Sequence, residues 1–149
     1  MIFSGFPGIG KSYFFRDGHK IKVLDSDSSE FSWVKDKDGN NTRERNPEFP
    51  ENYIKHIKEN NNGDTIIFVS SHKVVRDALK DNGMKYFIIY PDKSLKSEYI
   101  ERYKNRGSDE KFIKFISAHW DEFIDEIEEE TYPIKIKLQS KETISTILN

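Results

Sequence analysis

A glycine-rich segment near the start of the chain has the residue types and spacing to bind phosphate. Residues 5–12 read Gly-Phe-Pro-Gly-Ile-Gly-Lys-Ser and match the pattern G-x-x-x-x-G-K-[ST] in full. Glycines let the backbone wrap closely around phosphates, so that successive N–H groups point inward at the start of the following helix. In this pattern the lysine reaches the β/γ-phosphates and the hydroxyl ligates Mg²⁺. The sequence therefore predicts nucleotide binding by Gly5, Pro7, Gly8, Ile9, Gly10, Lys11, Ser12 and Tyr13.

Two carboxylates, Asp25 and Asp27, follow the second apolar run of the chain. The carboxyl end of a strand faces the ligand crevice of an open α/β sheet. One carboxylate there could hold a water bound to Mg²⁺ while the other accepts a proton from an attacking hydroxyl. We therefore assign Asp25 to the metal, together with Ser12, and Asp27 to the acceptor. The alternative is that both residues shape a turn in a loop rich in Ser and Asp.

Five short apolar runs predict the strands that must position these residues. They are Met1–Phe3, Ile21–Leu24, Thr65–Val69, Tyr86–Tyr90 and Pro133–Leu138. The first four are continuous, as in parallel strands covered on both faces. The last alternates between apolar and charged residues, which is typical of an edge strand with one wet face.

Helical patterns separate the strands, which predicts an α/β fold with a mainly parallel sheet. Ser108 is the expected N-cap of the longest helix, and His119 and Trp120 are expected to pack on its apolar face. The polar stretch Lys35–Asn46 is expected to be a long loop, with a solvated turn at its Asp-Lys-Asp-Gly segment. The predicted helices are Lys11–Arg16, Glu51–Asn60, Lys73–Lys80, Ser94–Asn105, one from Ser108 to about Glu130, and Ser140–Leu148.

Composition limits the classes of protein that remain. The 149 residues fit one domain, and 24 basic against 26 acidic residues argue against binding polyanions through bulk positive charge. The chain has no cysteine, which excludes disulfide scaffolds, thiolate metal sites and a cysteine nucleophile. No apolar run is long enough to span a bilayer, and the N-terminus does not resemble a secretory signal. We expect a cytoplasmic protein without a membrane partner.

Other motifs narrow the class of nucleotide-binding protein. The guanine-reading pattern N-K-x-D of GTPases does not occur in the sequence. Motor-type ATPases usually carry an acidic residue after the third strand, whereas the residues here are Ser70-Ser71-His72. The customary second carboxylate for Mg²⁺ is therefore missing from this place, and Asp25 is the candidate to supply it.

The segment Gly-x-Pro-Gly-x-Gly-Lys-Ser at the N-terminus of a short chain resembles the small P-loop kinases. These comprise the adenylate-kinase-like nucleoside monophosphate kinases, shikimate and gluconate kinases, and polynucleotide 5′-kinases. Asp25 and Asp27 match the Asp-x-Asp that shikimate kinase has after its second strand. The layout is also similar to nucleotide-kinase-like proteins of bacteriophages, which would place the protein in a host cytoplasm. Only the phosphate loop matches these families specifically. The rest of the resemblance is in the order of strands and helices along the chain.

The resemblance implies a three-layer fold with helices on both faces of the sheet and the strand order 2-3-1-4-5. It also implies a short lid, here about residues 94–109, that brings arginines onto the phosphates. Arg102 and Arg106 are four residues apart and thus on one helix face. A guanidinium suits phosphate oxygens better than an ammonium does, so we assign both arginines to the transferred phosphoryl group. The alternative is that they pair with Glu98 and Glu101 on a solvated helix.

The acceptor is expected to bind between the second-strand loop and the helix that follows it. Nucleotide kinases place an arginine near Arg76 to grip the acceptor's phosphate, although a surface role is equally compatible with the sequence. Gln139 occupies the place where such kinases contact adenine through the backbone. The other residues assigned to the acceptor are Asp27, Trp33, Ser70 and His72.

The leading hypothesis is thus a phosphotransferase that uses ATP and Mg²⁺ and acts on a nucleoside monophosphate or nucleotide-like acceptor. If the acceptor is a hydroxyl, Asp27 is its base. Two alternatives stay open. One is a kinase for a small molecule or a polynucleotide 5′-hydroxyl, the only case with a nucleic-acid partner. The other is a nucleotide-binding module that does not turn over.

Overall fold

A computed structural model of the protein describes residues 1–11 and 22–148. Ser12, Tyr13 and most of the helix predicted for Lys11–Arg16 lie outside the described residues. The strands are β1 (Ile2–Gly5), β2 (Lys22–Asp25), β3 (Trp33–Lys35), β4 (Asn41–Arg45), β5 (Thr65–Ser70), β6 (Phe87–Pro91) and β7 (Ile134–Leu138). The helices are α1 (Ser29–Ser32), α2 (Glu51–Asn60), α3 (Lys73–Asp81), α4 (Lys96–Asn105), α5 (Glu110–Glu129) and α6 (Ile144–Leu148). A 3₁₀ turn, Lys93–Leu95, precedes α4.

The five strands predicted from apolar runs form one parallel sheet, in the order β2-β5-β1-β6-β7. In β1, β5 and β6, runs of three or more consecutive residues are buried. Since consecutive strand residues point to opposite faces, both faces of the sheet centre are covered. The predicted α/β class is confirmed. The strand labels differ from the predicted numbering because β3 and β4 lie outside this sheet.

β7 is an edge strand, as its alternating sequence predicts. It pairs in parallel with β6, and Ile134 to Lys137 are wholly or partly exposed. Lys137 contacts Glu128 at 2.7 Å, near the end of α5. Charged side chains along an edge strand oppose pairing with another chain.

The prediction of a long loop at Lys35–Asn46 is wrong in part, because Trp33–Lys35 and Asn41–Arg45 pair as an antiparallel hairpin of β3 and β4. Its turn holds together through Asp36, whose Oδ1 accepts the N–H groups of Asp38 and Asn40 at 2.9 Å each. Gly39 has a φ of +81°, which suits glycine. The solvated turn is thus confirmed. The strands escaped prediction because β4, Asn-Thr-Arg-Glu-Arg, has no apolar pattern.

Helices α4 and α5 pack through large aromatic side chains. Trp120, Tyr99 and Tyr103 are fully buried, and the Trp120 indole N–H donates to the Lys93 carbonyl at 2.8 Å. The packing role predicted for Trp120 is confirmed. That predicted for His119 holds only in part, since its side chain is 41% exposed beside Phe123. The N-cap of α5 is Asp109 and not Ser108, because the Asp109 carboxylate accepts the Lys111 N–H.

Within residues 1–11 and 22–148, no helix has both the length and the apolar character needed to cross a membrane.

Candidate functional site

A crevice of about 640 Å³ opens at the carboxyl ends of β1, β2 and β5. This edge of a parallel sheet is where α/β proteins bind ligands. The structure brings together there most of the residues predicted from the sequence. Its lining includes Gly5, Pro7, Gly8, Gly10, Lys11, Asp25, Asp27, Ser70, His72, Arg102 and Arg106.

The loop after β1 has a backbone shape that glycine alone adopts easily. Gly8 and Gly10 have φ values of +87° and +89°. A Cβ atom at Gly8 would lie 2.8 Å from Cε1 of Tyr103, and one at Gly10 would lie 3.0 Å from Cβ of Thr143. Both glycines are therefore required by backbone conformation and by the close approach of neighbouring side chains.

Hydrogen bonds from later segments of the chain hold the carbonyl groups of this loop. The Tyr103 hydroxyl donates to the Pro7 carbonyl and the Arg102 guanidinium to the Gly8 carbonyl, both at 2.8 Å. The Ile144 N–H donates to the Ile9 carbonyl at 3.0 Å. Because these carbonyls accept hydrogen bonds from later segments, their negative dipoles are partly offset. That arrangement suits an anion-binding loop.

The segment predicted as a short lid, about residues 94–109, is the 3₁₀ turn and α4. The buried face of α4 packs on the loop through Tyr99 and Tyr103. It therefore supports the loop, while Arg102 of α4 and Arg106, directly after its last residue, line the crevice.

Lys11 and Asp25 form an ion pair inside the crevice. Lys11 Nζ lies 3.1 Å from Asp25 Oδ1, and the two side chains are 31% and 32% exposed. Their opposite charges offset one another at this point. Both groups face the same space, as required of a lysine that binds phosphate and a carboxylate that could hold a metal through water.

The two arginines assigned to the phosphoryl group have different surroundings. The Arg102 guanidinium donates to the Gly8 carbonyl and, at 3.3 Å, to the Glu142 carbonyl. It also lies 3.7 Å from Glu98, so the ion pair considered as an alternative exists. Arg106 donates through Nε to the Ser108 hydroxyl, and no carboxylate of the described residues pairs with it. Arg106 is thus the guanidinium available to a ligand, whereas Arg102 positions the loop.

Arg76 differs from its predicted role of gripping an acceptor phosphate. Its side chain is only 4% exposed and pairs with both Glu126 and Glu130 of the α5 segment. Its Nε donates to the Ser71 carbonyl at 2.8 Å. Since each nitrogen of the guanidinium already has a protein partner, Arg76 ties α3 to α5. Glu126 and Glu130 therefore share a basic partner, and Glu128 between them pairs with Lys137.

Asp27 shapes a turn and also faces the crevice. Its Oδ1 accepts the Ser29 N–H at 2.9 Å, the turn considered as an alternative for this residue. The same side chain lines both the crevice and a second cavity of about 500 Å³. We call this second cavity the hairpin pocket; its lining includes Asp27, Trp33, Arg45, Phe49, His72 and Lys73.

Ser70 and His72 lie at the end of β5. The Ser70 hydroxyl accepts the His72 N–H at 3.4 Å, a long and weak contact, and His72 directly precedes α3. Burial of the imidazole lowers the pKa of His72 below its ordinary value of 6.5, opposed by Asp27 and assisted by Arg76 and Arg45. His72 is therefore neutral at pH 7 and lies beside both cavities.

His72 gives a testable pH dependence. Because its pKa is lower in the folded protein, the unfolded chain takes up a proton first as the pH falls below about 6.5. We expect the free energy of unfolding to decrease over that range, and to decrease less in His72→Gln. Urea unfolding at several pH values between 7.5 and 5.5 measures this. Parallel pH profiles for the two proteins would contradict it.

Trp33 and Gln139 show what the hairpin and the last loop contribute. Trp33 lines the hairpin pocket, and the Arg45 guanidinium lies 4.4 Å from its ring centroid. Arg45 was not assigned to the site from sequence, since only the hairpin brings it to Trp33.

The Gln139 N–H donates to the Glu142 carboxylate at 2.6 Å, so the backbone group expected to contact adenine already has a partner.

The donor groups at the crevice fit a nucleotide with Mg²⁺. Two left-handed glycines, a lysine and an aspartate supply the loop shape, a cation and a metal-compatible oxygen. Over the described part of the chain, no group of three or more His, Asp or Glu side chains is placed to hold a metal ion. No family model matches the sequence, and no match is found among curated proteins.

Proposed function

We propose that this chain is a phosphotransferase that uses ATP and Mg²⁺, with a P-loop kinase fold, and that its acceptor is a nucleoside monophosphate or nucleotide-like molecule. One observation carries the proposal. The loop Gly5–Lys11 has the two left-handed glycines that a phosphate-binding backbone needs, and Lys11, Asp25 and Arg106 line the same crevice. Bound ATP would supply the phosphoryl group.

The topology supports the proposed fold. Numbered among themselves, the five strands of the parallel sheet run 2-3-1-4-5, the order of the small P-loop kinases. The inserted hairpin stands between the second and third of these strands, where such kinases bind their acceptor.

The residues that bind the donor nucleotide have separate roles in this proposal. Lys11 and the loop amides bind the donor phosphates, and Ser12 and Asp25 hold Mg²⁺, with Ser12 outside the described residues. Arg106 offsets the charge that develops on the transferred group. Arg102 holds the Gly8 carbonyl and so keeps the loop in shape.

A module that binds nucleotide without turnover is the second candidate. It is favoured by the end of β5, where Ser70, Ser71 and His72 stand in place of a carboxylate. The Lys11–Asp25 ion pair is also compatible with this candidate. In a kinase, Asp25 would have to give up its contact with Lys11 to hold Mg²⁺, whereas a module without turnover needs no such change.

Acceptor-dependent formation of ADP separates the two candidates. Purified protein with Mg²⁺ and ATP is to be incubated with each nucleoside monophosphate, with shikimate-like alcohols and with 5′-hydroxyl oligonucleotides. We expect ADP with at least one nucleoside monophosphate. ADP formation with any acceptor excludes the module, whereas binding of ATP with no acceptor-dependent turnover excludes the kinase.

Asp27→Asn tests which chemical group of the acceptor reacts. Asparagine keeps the oxygen that accepts the Ser29 N–H, so the turn is expected to survive. A hydroxyl acceptor needs a base, and we then expect a loss of kcat of about 100-fold or more with ATP binding unchanged. A phosphate acceptor needs no base, and the loss is then expected to be small.

Asp38→Asn is the matched control for Asp27→Asn, since Asp38 is exposed in the hairpin turn and does not line the crevice. It is expected to keep full turnover. If both variants lose kcat equally, Asp27 has no special role. With a nucleoside monophosphate as acceptor, the proposal requires Asp27→Asn to remain active.

A further inference from the structure

The hairpin pocket is a second cavity beside the crevice, and it has basic residues of its own, Arg45 and Lys73. β3 and β4 contribute Trp33 and Arg45 to one part of its lining, and the start of α3 contributes His72 and Lys73. Asp27 and His72 line both cavities. A molecule in the hairpin pocket would therefore reach the crevice past these two residues.

Arg45 is the cationic group of this pocket that has no counter-ion. No carboxylate of the described residues lies within ion-pair distance of its guanidinium. Lys73, in contrast, pairs with Asp77 at 2.8 Å. The Trp33 ring 4.4 Å from the guanidinium restricts its position. A guanidinium held on an aromatic face still has its N–H edge available for an anion.

The Arg45 guanidinium also differs from the two other basic groups considered for the acceptor. Arg76 is saturated by Glu126, Glu130 and the Ser71 carbonyl. His72 is neutral at pH 7, because burial and the nearby arginines lower its pKa. Arg45 is therefore the candidate for the role that the sequence predicted for Arg76, which is to bind a phosphate of the acceptor.

We propose that the hairpin pocket binds the acceptor and that Arg45, held on Trp33, binds an anionic group of it, a phosphate or a carboxylate. The reacting group of the acceptor then lies toward Asp27 and His72, at the junction with the crevice. This inference rests on the proposed function, because it treats the bound molecule as the acceptor of a kinase. The binding of a small anion to the pocket does not itself depend on turnover. We therefore expect the acceptor to be a small anionic molecule, and a neutral alcohol to bind more weakly.

Tryptophan fluorescence reports directly on this pocket. The chain has two tryptophans, and Trp120 is fully buried away from it. The probes are the nucleoside 5′-monophosphates, their uncharged nucleosides, shikimate, inorganic phosphate and pyrophosphate, each titrated without ATP. We expect at least one anionic probe to change the emission, and its uncharged counterpart to bind at least about 10-fold more weakly. Trp33→Phe is expected to abolish the change.

Arg45→Gln and Arg43→Gln form the decisive pair of variants. Both residues are exposed on β4, but Arg43 does not line the hairpin pocket. We expect Arg45→Gln to weaken the anionic probe about 10- to 100-fold, the effect of losing a hydrogen bond between charged groups. Arg43→Gln is expected to bind as the unmodified protein does. Circular dichroism of each variant verifies the fold.

If Arg45→Gln and Arg43→Gln weaken binding of the anionic probe equally, the effect comes from the net charge of the protein and the inference is overturned. A fluorescence change that persists in Trp33→Phe, or no response to any anionic probe at millimolar concentration, would also overturn it. Turnover decides the proposed function separately. If the anion binds in a way that depends on Arg45 but no ADP forms, the role of the hairpin pocket is supported and the kinase function is contradicted. If ADP forms and is unaffected in Arg45→Gln, the kinase function is supported and the role of Arg45 is contradicted.

Discussion

Arg106→Gln is expected to lower kcat at least about 1,000-fold while leaving the fold intact. An arginine that offsets charge on a transferred phosphoryl group contributes a factor of this size or more. Arg106 lines the crevice and has no carboxylate partner among residues 1–11 and 22–148, so its charge is available to a ligand. Its side chain is exposed, and its replacement removes one hydrogen bond to Ser108 and the contacts of the guanidinium with the Tyr103 and Phe112 rings.

The measurement is steady-state ADP formation with the acceptor identified by the screen, together with ATP affinity by calorimetry. Arg43→Gln is the control, because it removes the same charge from an exposed strand that does not line the crevice. We expect ATP affinity in Arg106→Gln to change far less than kcat. A drop in kcat of less than about 10-fold would mean that Arg106 does not contact the transferred group.

Gly8→Ala is expected to lower the free energy of unfolding by about 2–5 kcal/mol and to abolish nucleotide binding. Two costs add up at this position. A left-handed backbone at φ +87° is unfavourable for alanine, and its Cβ would lie 2.8 Å from Tyr103. Tyr103 is fully buried and its hydroxyl bonds to the Pro7 carbonyl, so the ring cannot move away without loss.

Gly39→Ala separates these two costs. Gly39 has a φ of +81°, but a Cβ there meets nothing within 4 Å. Its replacement is expected to lower the free energy of unfolding by only about 1–2 kcal/mol, from backbone strain alone. Urea unfolding of both variants measures the difference. Equal losses would show that Tyr103 yields freely to the added atom.

The centre of the parallel sheet was predictable because β1, β5 and β6 are buried on both faces. Continuous apolar runs such as Thr65–Val69 carry that signal in the residues themselves. The hairpin was not predictable in this way, because strand pairs that face solvent need no apolar residues. Asn41–Arg45 is held by its turn and by pairing with β3, and neither depends on a pattern of hydrophobicity.

The crevice residues were predictable where chain order alone decides their place. Gly5, Asp25 and Ser70 are each the last residue of a parallel strand, and these ends meet at one edge of the sheet. The partners of the arginines were not predictable. Arg76 meets Glu126 and Glu130 across 50 and 54 residues, and such long-range pairing depends on how α3 and α5 pack.

The hydrogen bonds on the loop carbonyls link the start of the chain to segments synthesised much later. Arg102 and Tyr103 reach residues 8 and 7 across 94 and 96 residues, and Ile144 reaches Ile9. Contacts between such distant positions form late in folding, because closing a long loop costs entropy before any contact is gained. The segment that carries the most recognisable motif thus cannot reach its final shape on its own. Phosphate binding is expected to appear only after α4 and α6 have packed.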